Sequence, residues 1–354
     1  MHQQRVIIPG STTNISEMMP TPGKTLYATT QRGSFEARAV ENVLLCREHY
    51  RLTVRVEAFG ASLPGNFVQI LIDPQWTANG QPWTPREMEW EPGRQPPKFH
   101  EPFLLEGRAY LRRPFSIAGR RDGADTGGKP FSDLDIIYRV IGKATQAMEK
   151  LKAGDAVALL GPLGNGFTPP PASGLALLVG GGVGIPPMLY LAEYLALSGV
   201  PALAFMGAQS GDLLPLDFPS ASPRPGTEPV PLATAQEFAR HGIKSVIATD
   251  DGSMGVKGFV TEALSGWLQK NRDSLPKQTI IFCCGPTPMM RATGEVAGTF
   301  NLPCQASLEQ PMACGMGTCQ SCVIKFKPTG ANDWVYKLTC TDGPVFETGD
   351  ILWK

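Results

Sequence analysis

The chain has 354 residues, enough for two or three domains with separate cores. Lys plus Arg and Asp plus Glu both number 32, so the formal charge is zero and no basic face for nucleic acid or anionic membrane is indicated. An apolar fraction of 42% with no twenty-residue apolar run excludes a membrane-spanning helix, and eight cysteines in so long a chain do not make a disulfide framework. The first residues, Met1 to Gly10, lack the apolar core and cleavage site of a secretory signal. A cytoplasmic chain with reduced thiols is the expectation.

Residues 1–33 are rich in Thr, Ser, Pro and Gly without a sustained period, and are expected to be a flexible tail. From there the pattern alternates. Phe35–Leu45 and Tyr50–Val56 predict short antiparallel strands, and Pro64-Gly65-Asn66 is a turn entering a strand at Phe67–Ile70. Asp73–Glu106 interrupts with seven prolines and three tryptophans. It is too long for an ordinary connection and is expected to be an insertion in this domain. Arg113-Pro114-Phe115-Ser116 opens the next strand, and Asp135–Ile141 is another by its β-branched content. Gly142-Lys143-Ala144-Thr145 turns into a helix starting at Gln146, a small-residue turn before a helix N-terminus where an anion could sit. Ala156–Leu160 is a strand and Gly161–Phe167 a rigid loop. Together these predict a small antiparallel barrel over 34–168.

Beyond the Pro-rich boundary at 168–174 the period changes. Leu175–Val179 is a continuous apolar run, as in a strand buried on both faces of a parallel sheet. Gly180-Gly181-Gly182-Val183-Gly184 follows directly, then a helix over Met188–Ser198. Strand, glycine loop and helix in that order cradle phosphate, although the spacing departs from Gly-x-Gly-x-x-Gly and a tight turn is the plainer alternative. Further strands at Ala202–Gly207, Ser245–Thr249 and Gln278–Cys284 alternate with helices at Gly258–Leu268 and Met289–Val296. A doubly wound α/β domain over 172–302 is predicted, with ligands at the carboxyl ends of its strands. The glycine loop, Asp251 and Cys284-Gly285-Pro286 fall at that edge. A carboxylate at a strand end, as at Asp251, serves equally well as a helix cap.

Residues 303–354 hold Cys314-Gly-Met-Gly-Thr-Cys319-Gln-Ser-Cys322, with Cys340 following after seventeen intervening residues across a short hairpin-like segment. An x4, x2 triplet plus one distant cysteine is the plant-type ligand spacing of a [2Fe–2S] cluster. Gly315 and Gly317 let the loop curl around such a core. Four zinc thiolates are the alternative, but zinc sites usually pair two short Cys-x2–4-Cys knuckles.

Taken in order, Arg113-Pro-Phe-Ser116, Tyr138-Arg139-Val140, Gly142–Thr145, Gly161–Phe167, the Gly180 loop, Thr249–Ser253, Cys284–Pro286, the four cysteines and Asp342–Phe346 resemble the ferredoxin–NADP reductase superfamily with a C-terminal iron–sulfur module. More closely they resemble the electron transfer subunits of NAD-dependent dihydroorotate dehydrogenases. The resemblance spans about Phe35 to the C-terminus. It implies a multidomain β plus α/β fold: an antiparallel flavin-binding β-barrel, a doubly wound parallel-sheet nucleotide domain and a small [2Fe–2S] module. It implies FAD held by Arg113, Pro114, Phe115, Ser116, Ile137, Tyr138, Arg139, Ala144 and Thr145. It implies NAD(H) bound by Gly181, Gly182, Gly184, Asp251, Cys284, Gly285 and Pro286, with Cys284 near the nicotinamide. Cys314, Cys319, Cys322 and Cys340 would ligate the metal cluster. The implied function is to carry electrons between NAD(H), FAD, the [2Fe–2S] cluster and an FMN-containing catalytic subunit, two of each in a heterotetramer, in pyrimidine biosynthesis. A flavin/iron–sulfur subunit serving another partner, of the ferredoxin:NADP oxidoreductase or sulfide dehydrogenase type, uses the same parts. A zinc-stabilised binding protein on a degenerate reductase fold is the alternative from another class. The insertion and the tail depart from the compact family pattern.

Overall fold

The structure, a computed structural model, describes residues 32–71, 111–218, 226 and 228–353. The proposed insertion at 73–106 and nearly all of the proposed tail lie outside the described residues.

The first layer is a seven-stranded antiparallel sheet. Its strands are β1 (Gly33–Cys46), β2 (His49–Glu57), β3 (Phe67–Leu71), β4 (Arg113–Ser116), β5 (Gly119–Ala124), β6 (Pro130–Arg139) and β7 (Ala156–Leu163), in the order β4-β3-β7-β1-β2-β6-β5. Period-two alternation builds it. Leu52, Val54 and Val56 of β2 point inward with Leu134 and Ile136 of β6, all fully buried. The sheet curls far enough that Phe115 on its β4 edge meets Tyr138 of β6 edge-on, ring centroids 6.3 Å apart. The short helix α1 (Lys143–Glu149) begins three residues before the expected start. The hydroxyl of Thr145 accepts from the backbone N–H groups of Ile141 and Gly142, at 3.0 and 3.1 Å, and so draws Lys143–Thr145 into the first turn. Strand β7 also continues through Gly161–Leu163, where a loop was expected, because Leu163 pairs with Phe67 and Gly161 with Gly33.

The second layer is a sheet of β8 (Leu175–Gly181), β9 (Ala202–Ala208), β10 (Lys244–Thr249), β11 (Val256–Lys257), β12 (Thr279–Cys284), β13 (Cys304–Ser307) and β16 (Val345–Glu347), in the order β11-β10-β9-β8-β12-β13-β16. All pairings are parallel except β13 with β16. Four helices flank it: α2 (Ile185–Leu197), α3 (Gln236–Ala239), α4 (Val260–Asn271) and α5 (Thr287–Thr299). Strand β8 is buried on both faces, which is why its sequence shows no alternation. The strand order reverses between β8 and β12, so the loops after these two strands diverge from a switch point. Cys304–Ser307 and Val345–Glu347, read from sequence with the cluster segment, extend this sheet.

Between β13 and β16 the chain makes the cysteine loop and a two-stranded hairpin, β14 (Val323–Phe326) with β15 (Val335–Leu338). The layers are tied together by defined contacts. Phe167, following β7, packs edge-on to Phe282 of β12, and the Tyr190 hydroxyl of α2 donates to the Ser62 carbonyl at 3.0 Å. Phe67 and Leu163 of the antiparallel sheet share a buried cluster with Cys322 and Cys340. Among the described residues no helix is long and apolar enough to cross a membrane.

Candidate functional site

A cleft of about 1100 Å³ opens along the antiparallel sheet. Arg113, Pro114, Phe115 and Ser116 of β4 and Ile137, Tyr138 and Arg139 of β6 line it, as do Ala144 and Thr145 of α1. It is completed by Val183 from the loop after β8 and by Ser307–Met312, the segment running from β13 to the cysteines. All nine residues assigned to a flavin by resemblance therefore meet in one cleft. Tyr138 is buried, its ring stacked on Tyr50 at 5.8 Å and its hydroxyl donating to Asn42 Oδ1 at 3.1 Å; burial pushes that hydroxyl well up. Arg113 Nη1 donates to the carbonyls of Leu111 and Arg112, at 3.0 and 3.3 Å. Arg139 pairs with Glu48 at 2.8 Å. The lining combines flat apolar rings with cationic groups, and its volume exceeds the usual range for drug-sized ligands. These residues fit FAD: rings for the isoalloxazine, guanidinium and helix-start N–H groups for the phosphates.

The proposed nicotinamide residues meet at the switch point, beside the cleft and outside its lining. A Cβ on Gly184 would fall inside the Cys284 carbonyl and the Gly285 nitrogen, so glycine there is what lets the β8 loop touch the end of β12. Gly181 lies against Pro286 and the Met289 sulfur, and Gly182 is open to solvent. Cys284 is buried, opposite Ser307 in the β12–β13 pairing, and burial pushes its thiol well up, with Glu309 adding to the rise. Asp251 is the exception. It is exposed, and its Oδ1 accepts from the N–H and hydroxyl of Ser253, at 2.9 and 2.6 Å, so it caps the turn after β10. Those hydrogen bonds pull its carboxyl down.

Glu309 was missed by the sequence reading. It lines the cleft beside Cys284 and Ser307. Protein closes around it on most sides, which raises its carboxyl, while water still reaches it through the open cleft. The available signal was an acid two residues past a strand end and five before the first cluster cysteine.

The cysteines come together in two pairs. Cys319 contacts Cys314, and Cys340 contacts Cys322. The backbone N–H groups of Met316 and Cys319 both donate to Cys314 Sγ at 3.4 Å. Cys322 and Cys340 are buried, and Thr339 N–H and Oγ1 both donate to the Cys322 carbonyl, at 3.1 and 2.9 Å. The Cys319 thiol is pulled down to about 6, first by hydrogen bonds with Ser321 and then by those with Cys314. The Cys340 thiol is pushed up to about 12, chiefly by burial. Among the described residues no three His, Cys, Asp or Glu side chains are grouped to hold a single metal ion. Two thiol pairs in a loop that aims N–H groups at sulfur fit a binuclear cluster with two thiolates on each iron.

Residues 309–352 match the family model for the iron–sulfur cluster binding domain of dihydroorotate dehydrogenase B. The chain is 36% identical over 264 residues, 73% of this chain and 87% of that protein, to the dihydroorotate dehydrogenase B (NAD(+)) electron transfer subunit of Bacillus caldolyticus. It is 32% identical over 244 residues to that of Desulforamulus reducens, covering 69% of this chain and 81% of that protein. Among solved structures, an NADH-dependent reduced ferredoxin-NADP oxidoreductase shares the fold with a TM-score of 0.59 and 23% identity over 90% of each chain. The Amycolatopsis cytochrome P450 reductase GcoB follows with a TM-score of 0.51 and 19% identity over 77% of this chain and 68% of that one. The fold is that of the ferredoxin-reductase class, and residues 309–352 add an iron–sulfur cluster binding domain to it. Within that class, the chain belongs to the family of dihydroorotate dehydrogenase B (NAD(+)) electron transfer subunits.

Proposed function

We propose that this chain carries electrons between NAD(H) and a catalytic partner subunit, through FAD in the cleft and a [2Fe–2S] cluster on Cys314, Cys319, Cys322 and Cys340, in the dihydroorotate oxidation step of pyrimidine biosynthesis. The observation that carries this reading is the shared segment Ser307–Met312. It lines the cleft, follows a strand of the nucleotide-domain sheet and runs into Cys314, while Met312 packs against the buried cluster that holds Cys322 and Cys340. One short stretch thus joins the cleft, the parallel sheet and the cysteine loop.

FAD, when bound, supplies the conversion between a two-electron hydride and single electrons. The chain's own residues bind, orient and shield. Arg113 and the α1 start hold phosphate, and Phe115 and Tyr138 wall the ring system from water. Gly184 brings the nucleotide loop against Cys284, at the edge where burial raises the Glu309 carboxyl. The cysteine loop presents its exposed corner, Cys319 and Met316, to the outside. That corner is where the catalytic partner docks, an FMN-carrying subunit in an assembly of two copies of each.

The test is anaerobic purification of the full chain, followed by visible absorption, iron and acid-labile sulfide analysis, and NADH titration. Two irons and two sulfides per chain, flavin bands and bleaching by NADH are expected. A colourless, zinc-containing protein would overturn the reading. Co-purification with a subunit that turns over ferredoxin or sulfide and not dihydroorotate would overturn the choice of partner.

A further inference from the structure

Gln69 stands at the centre of β3, opposite Pro114 of β4 and Leu160 of β7. Its neighbours Val68 and Ile70 point into the barrel core. By alternation, Gln69 points to the other face, with Phe67. That face carries the buried cluster of Phe67, Leu163, Cys322 and Cys340 with Leu160, Met312 and Leu338. The side chain is completely buried, and neither Oε1 nor Nε2 has a hydrogen-bond partner among the described residues. An amide sealed in apolar surroundings with both polar atoms unpaired is costly, and buried side-chain polar groups are in the large majority paired.

What the amide faces is the cysteine loop. A Cβ on Gly315 would lie 2.7 Å from Gln69 Cδ, 2.8 Å from Oε1 and 2.9 Å from Nε2. Gly315 has φ +70, so glycine serves twice there, for the left-handed backbone and for room for the amide. The loop that touches Gln69 is the one that turns N–H groups onto the Cys314 sulfur.

We propose that Gln69 is a positioning and tuning residue for the cluster, its Nε2 donating a hydrogen bond to a sulfur of the cluster that the 314–322 loop holds. The inference rests on the iron–sulfur reading above and adds a residue outside the cysteine segment. Reduction adds negative charge to the cluster, so a donor to sulfur favours the reduced form and raises the potential. Because Gln69 belongs to the strand beside Phe67 and Pro114, which line the flavin cleft, the bond also fixes the cluster loop against the flavin wall.

The experiment compares the wild type with Gln69→Leu and Gln69→His, as full-length, anaerobically purified proteins. Iron and sulfide content come first: absence of iron from the wild type defeats the iron–sulfur reading itself, separately from the role of Gln69. With clusters loaded, EPR-monitored redox titration is expected to show Gln69→Leu disfavouring the reduced form by about tenfold, about 59 mV for a one-electron couple. Gln69→His, which keeps an N–H donor, should recover at least half of that shift. In the apo-protein Gln69→Leu should melt at or above the wild-type temperature, since it removes two unpaired polar atoms; a purely structural amide would give a lower one. Side-chain ¹⁵N labelling of glutamine in the wild type should give a hyperfine coupling to the reduced cluster, a readout that needs no variant. An unshifted potential in a fully loaded Gln69→Leu protein, or no ¹⁵N coupling in the wild type, would overturn the proposal.

Discussion

Asn165 and Val345 exchange two hydrogen bonds: Asn165 Nδ2 donates to the Val345 carbonyl and Val345 N–H donates to Asn165 Oδ1, both at 2.9 Å. Asn165 Nδ2 also donates to the Asp342 carbonyl at 3.2 Å. One side chain after β7 thus binds the turn and strand that follow Cys340. Asn165→Ala leaves a strand N–H and two carbonyls without these partners. At about 1 kcal/mol for each bond lost, it should destabilise the fold by about 2–3 kcal/mol and loosen the C-terminal segment first. Urea unfolding, with limited proteolysis to locate the opening, checks both.

The Gly184–Cys284 approach has no room for a side chain. Gly184→Ala forces the β8 loop away from β12, and overpacking of this kind typically costs about 1–3 kcal/mol. A raised KM for NADH with FAD content unchanged is the expected result. An unaltered KM would remove the switch point from the nucleotide site.

Phe115 contributes to two things at once, closing the curled sheet against Tyr138 and lining the cleft. Phe115→Ala should weaken FAD binding about tenfold, the scale of one aromatic contact. Fluorescence titration of the apo-protein with FAD measures it.

Cys319 is the most exposed of the four cysteines, so serine there should not disturb folding. Cys319→Ser should lose the cluster and all electron delivery beyond the flavin, while NADH still reduces the flavin. Iron analysis and stopped-flow absorbance separate the two effects. Loss of flavin reduction in this variant would contradict the division of labour between cleft and cysteine loop.

Burial raises the Glu309 carboxyl above its ordinary range. The folded chain therefore holds that proton at a pH where the unfolded chain has released it. Stability is unaffected by Glu309 below the ordinary carboxylate range, and declines as pH rises through the interval up to the raised value. Glu309→Gln should flatten that decline and leave acid stability unchanged. Thermal melts across the pH series provide the check, with the larger effect expected once ligand closes the cleft to water.

Much of this protein is legible along the chain because its signals are local. Alternation in Tyr50–Val56, the unbroken apolar run of Leu175–Val179 and the x4, x2 spacing of Cys314, Cys319 and Cys322 each report a period set by the backbone itself. The order of these motifs was enough to indicate a flavin barrel, a nucleotide sheet and a cluster segment. Tertiary structure decided what depends on distant partners. Asp251 became a turn cap because Ser253 lies within its reach. Cys304–Ser307 and Val345–Glu347 joined the parallel sheet through pairings that no local pattern encodes. Glu309 gained its place in the cleft, and Gln69 its place against Gly315, only when the strands stacked. Gln69 in particular reads as an ordinary strand residue in Phe67–Leu71. Its meaning comes from a loop nearly 250 residues away, because hydrogen-bond satisfaction in a sealed interior is a property of the whole fold.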